Sequence, residues 1–353
     1  MAWPGAAPQR STTADWGRAV TEQSGTESDL SRSADLVTPM AIRVAASLRL
    51  ADHIAGGSAT AQALAGASGA DAGALDQLLR HLVSLELLRS DGSGRYSLTS
   101  RGERLRDSHP SGLRARLDIN DALGRAELSF GGLLEAVCTG NASFDALYGR
   151  PFWDDLGSDP TRTASYDEQM GRDVAAWAAS VVPAYDWGSL GHVVDVGGGN
   201  GTLMVALLDA YPGLRGTVFE QPRTADAARS TLQEAGVVER SDVAAGSFFD
   251  PLPAGAGGYV LSAVLHDWPD ERVVAILRRC ADAAGANGRV LVVEKTGLGG
   301  EAPSTAMDLR MLVYFGARER GVTAISALAA DAGLRTVAVH PAGEISVIEF
   351  GAS

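Results

Sequence analysis

Three side chains in the C-terminal half have the types and spacing that proton chemistry needs. His266 follows the apolar run Leu261-Ser262-Ala263-Val264-Leu265, Glu294 closes a second run, and Glu319 lies between Arg318 and Arg320. If the two runs are neighbouring strands, they lie about 5 Å apart. Glu294 then reaches the imidazole, and a histidine oriented by a carboxylate is a general base. Glu319 can share the same ring; its other reading is a surface acid held between two arginines. His266 has an alternative as a buried histidine with satisfied nitrogens, but a strand end facing a ligand favours the base. Pro269, Asp270 and Glu271 then suit the first turn of a helix.

A Gly-rich turn supplies the ligand for that base to work beside. The run Val193-Val194-Asp195-Val196 ends in Gly197-Gly198-Gly199-Asn200-Gly201, and a helical pattern starts at once. Glycines between a strand and a helix N-terminus make a nucleotide-binding turn of the Rossmann kind. About twenty residues on, Thr217-Val218-Phe219 ends in Glu220, placed to accept hydrogen bonds from both ribose hydroxyls. After the third run, Ser247 can bond adenine and Phe248 can stack on it, while Phe249 reads equally well as core. Ser262 closes the fourth run on the same rim. The spacing Gly197-x-Gly199-x-Gly201 is not the dinucleotide pattern Gly-x-Gly-x-x-Gly. Asp195 would repel a pyrophosphate, which disfavours a dehydrogenase. It suits a cationic adenosine ligand carrying an amino group and a sulfonium.

These residues need a sheet to hold them. From residue 190, strand and helix patterns alternate, the mark of a parallel α/β sheet. Strands are expected at 192–197, 216–220, 242–246, 258–264, 289–294, 335–340 and 345–350, the last antiparallel because no long helix precedes it. Upstream, the pattern is helical. One stripe runs from Leu36 to Leu50, and further helices are expected over 61–65 and 71–88. The turn Asp91-Gly92-Ser93-Gly94 then separates two short β-runs. Helices followed by a hairpin describe a winged helix. Residues 111–186 are helical again, with a helix from Leu123 to Val137 and a cluster of Phe144, Tyr148, Phe152 and Trp153. Tyr166, Met170, Val174 and Trp177 recur at helical spacing. Singly, these aromatics and Met170 read as core; as a group they can roof a flat substrate, as can Met311, Tyr314 and Phe315. The expected organisation is a disordered stretch over 1–30, a winged-helix-like domain over 31–110, a helical linker over 111–186 and a catalytic domain over 187–353.

Composition limits the partners. The chain has 353 residues, a net charge of −13 and 21% charged residues. Such acidity argues against nucleic acid, so the winged helix reads as a dimerisation module rather than a DNA reader. A regulator with a vestigial ligand domain is the rival from another class. Two cysteines, Cys138 and Cys280, form no spaced cluster. Neither a disulfide framework nor a metal site is expected, and a reducing cytoplasm fits. No apolar run is long enough to span a bilayer.

The chain resembles the small-molecule O-methyltransferases of the caffeic-acid type, including bacterial enzymes that tailor aromatic polyketides. The carrying stretches are Asp195 to Gly201, Gly246 to Asp250, Leu265-His-Asp-Trp-Pro-Asp-Glu271, Val293-Glu-Lys295, Asp308 to Leu312 and Arg318-Glu-Arg320. The resemblance implies a seven-stranded Rossmann-like domain that binds S-adenosyl-L-methionine, with an N-terminal domain that makes an intertwined dimer. It implies His266 as base flanked by Glu294 and Glu319, with Asp308 at the substrate. Ser247 stands where the family usually has Asp, and Gly321-Val322 replaces its usual Thr. The approach Gly285 to Gly288 lacks the usual Pro. The implied reaction is metal-independent transfer of a methyl group to an aromatic hydroxyl of a secondary metabolite. Some relatives bind the same cofactor but act in hydroxylation, and intact His266 and Glu294 argue against that.

Overall fold

The computed structural model describes residues 30–353, which form two compact units divided between His109 and Pro110. The expectation of disorder over 1–30 falls outside these residues except for Leu30, which opens a helical turn.

The first unit contains α1 (Val37–Ser47), α2 (Leu50–Ala55), α3 (Ala61–Ser68) and α4 (Ala72–Ser84), then the hairpin β1 (Leu88–Ser90) and β2 (Tyr96–Leu98). The single stripe expected from Leu36 to Leu50 is two helices, broken at Arg49 with φ 52°. The helix expected to reach Leu88 stops at Ser84, because Glu86 also turns left-handed (φ 57°), and Leu88 begins the strand. Caps fix the rest. Thr60 accepts the Ala63 N–H at 3.2 Å, and Asp71 accepts the Ala74 N–H at 2.8 Å. Asp91 Oδ1 accepts N–H groups of Ser93 and Arg95, which closes the hairpin turn.

The second unit begins with short helices α5 (Leu113–Leu117), α6 (Ala122–Leu128), α7 (Leu133–Thr139), α8 (Ser143–Tyr148) and α9 (Phe152–Gly157), then the long α10 (Pro160–Val181). The helix expected over 123–137 is thus α6 and α7 with a 3₁₀ turn at Ser129–Gly132 between them. Leu134 and Val137, two of the apolar residues of that pattern, are 80% and 64% exposed.

The α/β core follows as β3 (His192–Val196), α11 (Thr202–Ala210), β4 (Arg215–Glu220), α12 (Pro222–Glu234), β5 (Ser241–Ala245), β6 (Gly258–Ser262), α13 (Asp270–Ala284), β7 (Arg289–Glu294), α14 (Thr305–Phe315), α15 (Val322–Asp331), β8 (Leu334–Ala342) and β9 (Ile345–Ala352). The seven strands lie in the order β5-β4-β3-β6-β7-β9-β8. All pairs are parallel except β7 with β9 and β8 with β9, so β9 is the reversed strand expected. Order reverses at β3, which puts the crevice for a ligand beyond its carboxyl end. The central strands are apolar on both faces. Val193, Val196, Val260 and Val292 are fully buried, as strands covered by helices on both sides must be.

Candidate active site

Adjacent β6 and β7 pair Ser262 with Val293, so the residues after them emerge side by side. Ala263 turns the chain off β6 in a left-handed conformation, φ 53°, which is strained for a residue with a β-carbon. Its N–H still bonds Val293 O at 2.9 Å. The 3₁₀ turn Leu265–Asp267 then carries His266 back over the end of β7. Pro269 sits at the cap of α13 rather than inside its first turn as expected.

His266 and Glu294 meet as the sequence predicts: Nδ1 lies 2.7 Å from Oε2. The other oxygen of Glu294 accepts the N–H groups of Val264 at 3.2 Å and Leu265 at 2.8 Å. Glu294 therefore holds both the imidazole and the backbone that carries it. Its carboxylate can only accept, so in the neutral ring Nδ1 carries the proton and Nε2 the free lone pair. Asp267 Oδ1 lies 3.4 Å from Nε2. Burial opposes charge on the imidazole, but Glu294, Asp267 and Glu319 outweigh it and raise His266 to about 10. Burial, with Glu294 and Glu319 nearby, also raises Asp267 to about 7.

Glu319 is buried, and its carboxyl pKa is raised, first by burial. It acts on His266 through charge rather than by a hydrogen bond. Its backbone N–H is given to Asp308 Oδ1 at 2.8 Å. The neighbouring Arg320, missed in the sequence, anchors the turn. It donates to Leu265 O and Trp268 O, both at 2.8 Å, and to Asp270 Oδ1 at 2.7 Å. Its side chain is 4% exposed, a depth at which a guanidinium needs such partners. The only sign in the sequence was its place in the run that carries Glu319.

The Gly-rich turn forms the other half. Gly197, Gly199 and Gly201 all take positive φ, at 73°, 56° and 82°. Gly198 is required for a different reason: a β-carbon there would lie 2.7 Å from the Asp195 carboxyl carbon. Asp195 is thereby tucked under the turn, 1% exposed, and neither oxygen has a partner among the described residues. Burial and then Glu220 raise its carboxyl to about 7. Glu220 accepts the N–H of Gly199 at 3.1 Å and of Gln221 at 2.7 Å. Ser262 Oγ is likewise buried without a partner among the described residues. Two orphaned polar groups on one rim are the mark of a ligand's donors and acceptors. Phe248 lies over Gly197 and meets Trp268 edge-on at 5.7 Å, whereas Ser247 Oγ accepts the Phe249 N–H at 3.3 Å.

The residues expected at the substrate fall into two groups. Met311 and Tyr314 are buried in a cluster with Phe144 and Phe152, and the Tyr314 hydroxyl is given to Glu127 at 2.7 Å. Phe315 stacks on Trp153 with centroids 5.5 Å apart, while Met170 is half-buried on α10. That helix packs on the cofactor turn, since a β-carbon at Gly171 would strike the Asn200 amide.

Comparison with known proteins agrees. An O-methyltransferase domain profile matches residues 130–335, and an O-methyltransferase dimerisation domain profile matches residues 32–108. The 2,7-dihydroxy-5-methyl-1-naphthoate 7-O-methyltransferase of Streptomyces carzinostaticus is 53% identical, over 90% of this chain and 96% of that protein. The aclacinomycin 10-hydroxylase RdmB of Streptomyces purpurascens is 41% identical, over 90% and 88%. Among solved structures, the O-methyltransferase NcsB1 of neocarzinostatin biosynthesis was crystallised with S-adenosylmethionine and 2-hydroxy-5-methyl naphthoic acid. It superposes with a TM-score of 0.86 at 52% identity, covering 91% of this chain and 98% of that one. The fold, the orphaned acid under the glycine turn and these matches agree: the chain belongs to the small-molecule O-methyltransferases and is an S-adenosylmethionine-dependent O-methyltransferase.

Proposed function

We propose that the enzyme methylates a hydroxyl on a polycyclic aromatic acceptor of naphthoate or polyketide type, with His266 as base and without a metal. The observation that carries this reading is the 2.7 Å contact between His266 and Glu294 at the ligand end of the sheet. S-adenosylmethionine supplies a methyl group already activated by the sulfonium. Asp195, Glu220, Ser262 and the turn Gly197 to Gly201 would hold it, with Ser247 and Phe248 at the adenine. The residues of this chain must then orient the acceptor and remove its proton. Orientation is worth roughly 7–11 kcal/mol at best, and base catalysis about 10²–10⁴-fold. Neutral His266 Nε2 takes the hydroxyl proton, and Glu294 stabilises the imidazolium that results. The flat aromatic wall, with Phe315 on Trp153, suits a fused ring, and a relative that methylates a naphthoate and a solved structure that holds a naphthoic acid support that substrate class.

The test is turnover of 2,7-dihydroxynaphthoic acids with methyl-labelled cofactor. The product should gain the labelled methyl, with no change on adding EDTA. A hydroxylated product without the label, as a relative of the RdmB kind would give, would overturn the reading, and EDTA-sensitive activity would overturn metal independence. Among the described residues no group of three His, Cys, Asp or Glu side chains has metal-holding geometry.

Asp195→Asn tests the cofactor half. The buried carboxylate would lose its charge-assisted bond, worth about 1.5–3 kcal/mol. Titration calorimetry should therefore show S-adenosylhomocysteine binding weakened at least about tenfold; unchanged affinity would remove Asp195 from the site. The homodimer is part of the same proposal. Leu36 and Val37, in the dimerisation region, are 74% and 61% exposed, apolar surface that suits burial against a second copy. The acidic net charge supports a winged helix that binds no nucleic acid.

A further inference from the structure

Four aromatic side chains with a polar atom line the cluster beside the base: Tyr148, Trp153, Tyr166 and Tyr314. Two are spoken for. Tyr148 donates to Arg125 O at 3.1 Å and Tyr314 to Glu127 at 2.7 Å. The other two are not. Trp153 Nε1 is buried with no partner among the described residues, while Tyr166 is half-buried and its hydroxyl shows no hydrogen bond among them. The Trp153 donor, buried and unpaired, costs stability, so its persistence needs a reason, and Tyr166 sets a second free donor beside it.

The two donors belong to one wall. The rings of Trp153 and Tyr166 meet edge to face, centroids 5.8 Å apart at 89°. Both also pack edge-on against Phe152, at 5.1 Å and 5.7 Å. Phe315 lies parallel to the Trp153 indole, so that ring is fixed and its N–H direction with it. Tyr166 lies within electrostatic reach of Asp267, beside the base, and of Glu220, at the cofactor rim. Burial raises the Tyr166 phenol well above its ordinary range, which keeps it a donor. Phe152 and Phe315 of this wall also pack on Tyr314 of α14, the helix whose Asp308 holds the Glu319 backbone near the base.

We propose that Trp153 Nε1–H and Tyr166 O–H form a two-donor clamp for an sp² oxygen, carbonyl or carboxyl, borne by the aromatic acceptor. This rests on the aromatic-acceptor reading above and adds to it the functional group that is recognised. The donors are neutral, and the nearby ionisable groups Asp267, Glu220 and Asp167 are acids. The clamp thus selects an acceptor oxygen by hydrogen bonding rather than by counter-charge.

The experiment uses the full-length enzyme saturated with S-adenosylhomocysteine, titrated with 2,7-dihydroxy-1-naphthoic acid, 2,7-dihydroxy-1-naphthaldehyde and 2,7-dihydroxynaphthalene. The wild type should bind the first two at least about tenfold more tightly than the diol. Trp153→Phe, which keeps a stacking ring, and Tyr166→Phe should each erase that preference, weakening the oxygenated ligands at least about tenfold more than the diol. Loss on both oxygenated ligands identifies a carbonyl clamp, and loss on the acid alone a carboxylate clamp. Equal losses on all three ligands, no loss, or no binding by the wild type would overturn the proposal. Turnover is scored separately. Failure to methylate any of the three sinks the aromatic-acceptor reading, whereas equal binding losses with turnover intact sink only the clamp.

Discussion

His266→Ala lowers kcat by at least about a hundredfold while S-adenosylhomocysteine binds as before. The figure follows from the usual worth of a positioned base, about 10²–10⁴-fold. Cofactor affinity should survive because the groups proposed to hold it are on other strand ends: Asp195 on β3, Glu220 on β4 and Ser262 on β6. The turn itself should keep its shape. Glu294 still accepts the Val264 and Leu265 N–H groups, and Arg320 still holds the carbonyls of Leu265 and Trp268. Single-turnover measurement of methyl transfer, with calorimetric titration of S-adenosylhomocysteine, checks both halves. Turnover within a few-fold of wild type would remove His266 from the mechanism.

Glu294→Gln is expected to be nearly as damaging, on the order of 10²–10⁴-fold in kcat, through the tautomer of a histidine it leaves in place. A glutamine at 294 has one acceptor and one donor end. Its oxygen must stay on the Val264 and Leu265 N–H groups, since turning its NH₂ there would set donors against donors. The NH₂ then faces Nδ1, which must accept, and the ring proton moves to Nε2. The nitrogen that should take the substrate proton is blocked, the fault that an Asp-to-Asn change produces in serine-protease triads. The pH profile gives a second readout. Catalysis needs the neutral imidazole, and a group raised to about 10 is mostly protonated at neutral pH. Wild-type kcat/KM should therefore climb from pH 7 towards 9.5. Removing the Glu294 charge takes away the first of the carboxylates that raise His266, so the rising limb of the variant should move to lower pH while its plateau falls. A variant with an unshifted limb and an unchanged plateau would mean that Glu294 serves only as a scaffold.

Much of this site was legible in the chain. The order of apolar runs and turns placed all seven strands to within a few residues, and their ends carried Glu220, Ser262 and Glu294. That follows from the strand period and from parallel strands that must be apolar on both faces, properties local enough to read from composition. The glycines showed themselves for the same reason, because only they take the positive φ of the turn at no cost. Helix boundaries were less legible. Arg49 and Glu86 break two expected helices by turning left-handed although neither is a helix breaker by type, so residue type gave no sign of either break.

What the sequence determined by itself is the kind of enzyme: the alternating elements, the cofactor turn with its acid, and an imidazole at the neighbouring strand end. The tertiary structure alone decided how that imidazole is held. Arg320 reaches the Leu265 carbonyl beside it from 55 positions away in the chain, Asp308 positions Glu319, and Trp153 emerges with a buried donor left free. These are pairings between distant side chains, fixed by packing and by the cost of burying a polar group, and no local pattern in a sequence encodes them.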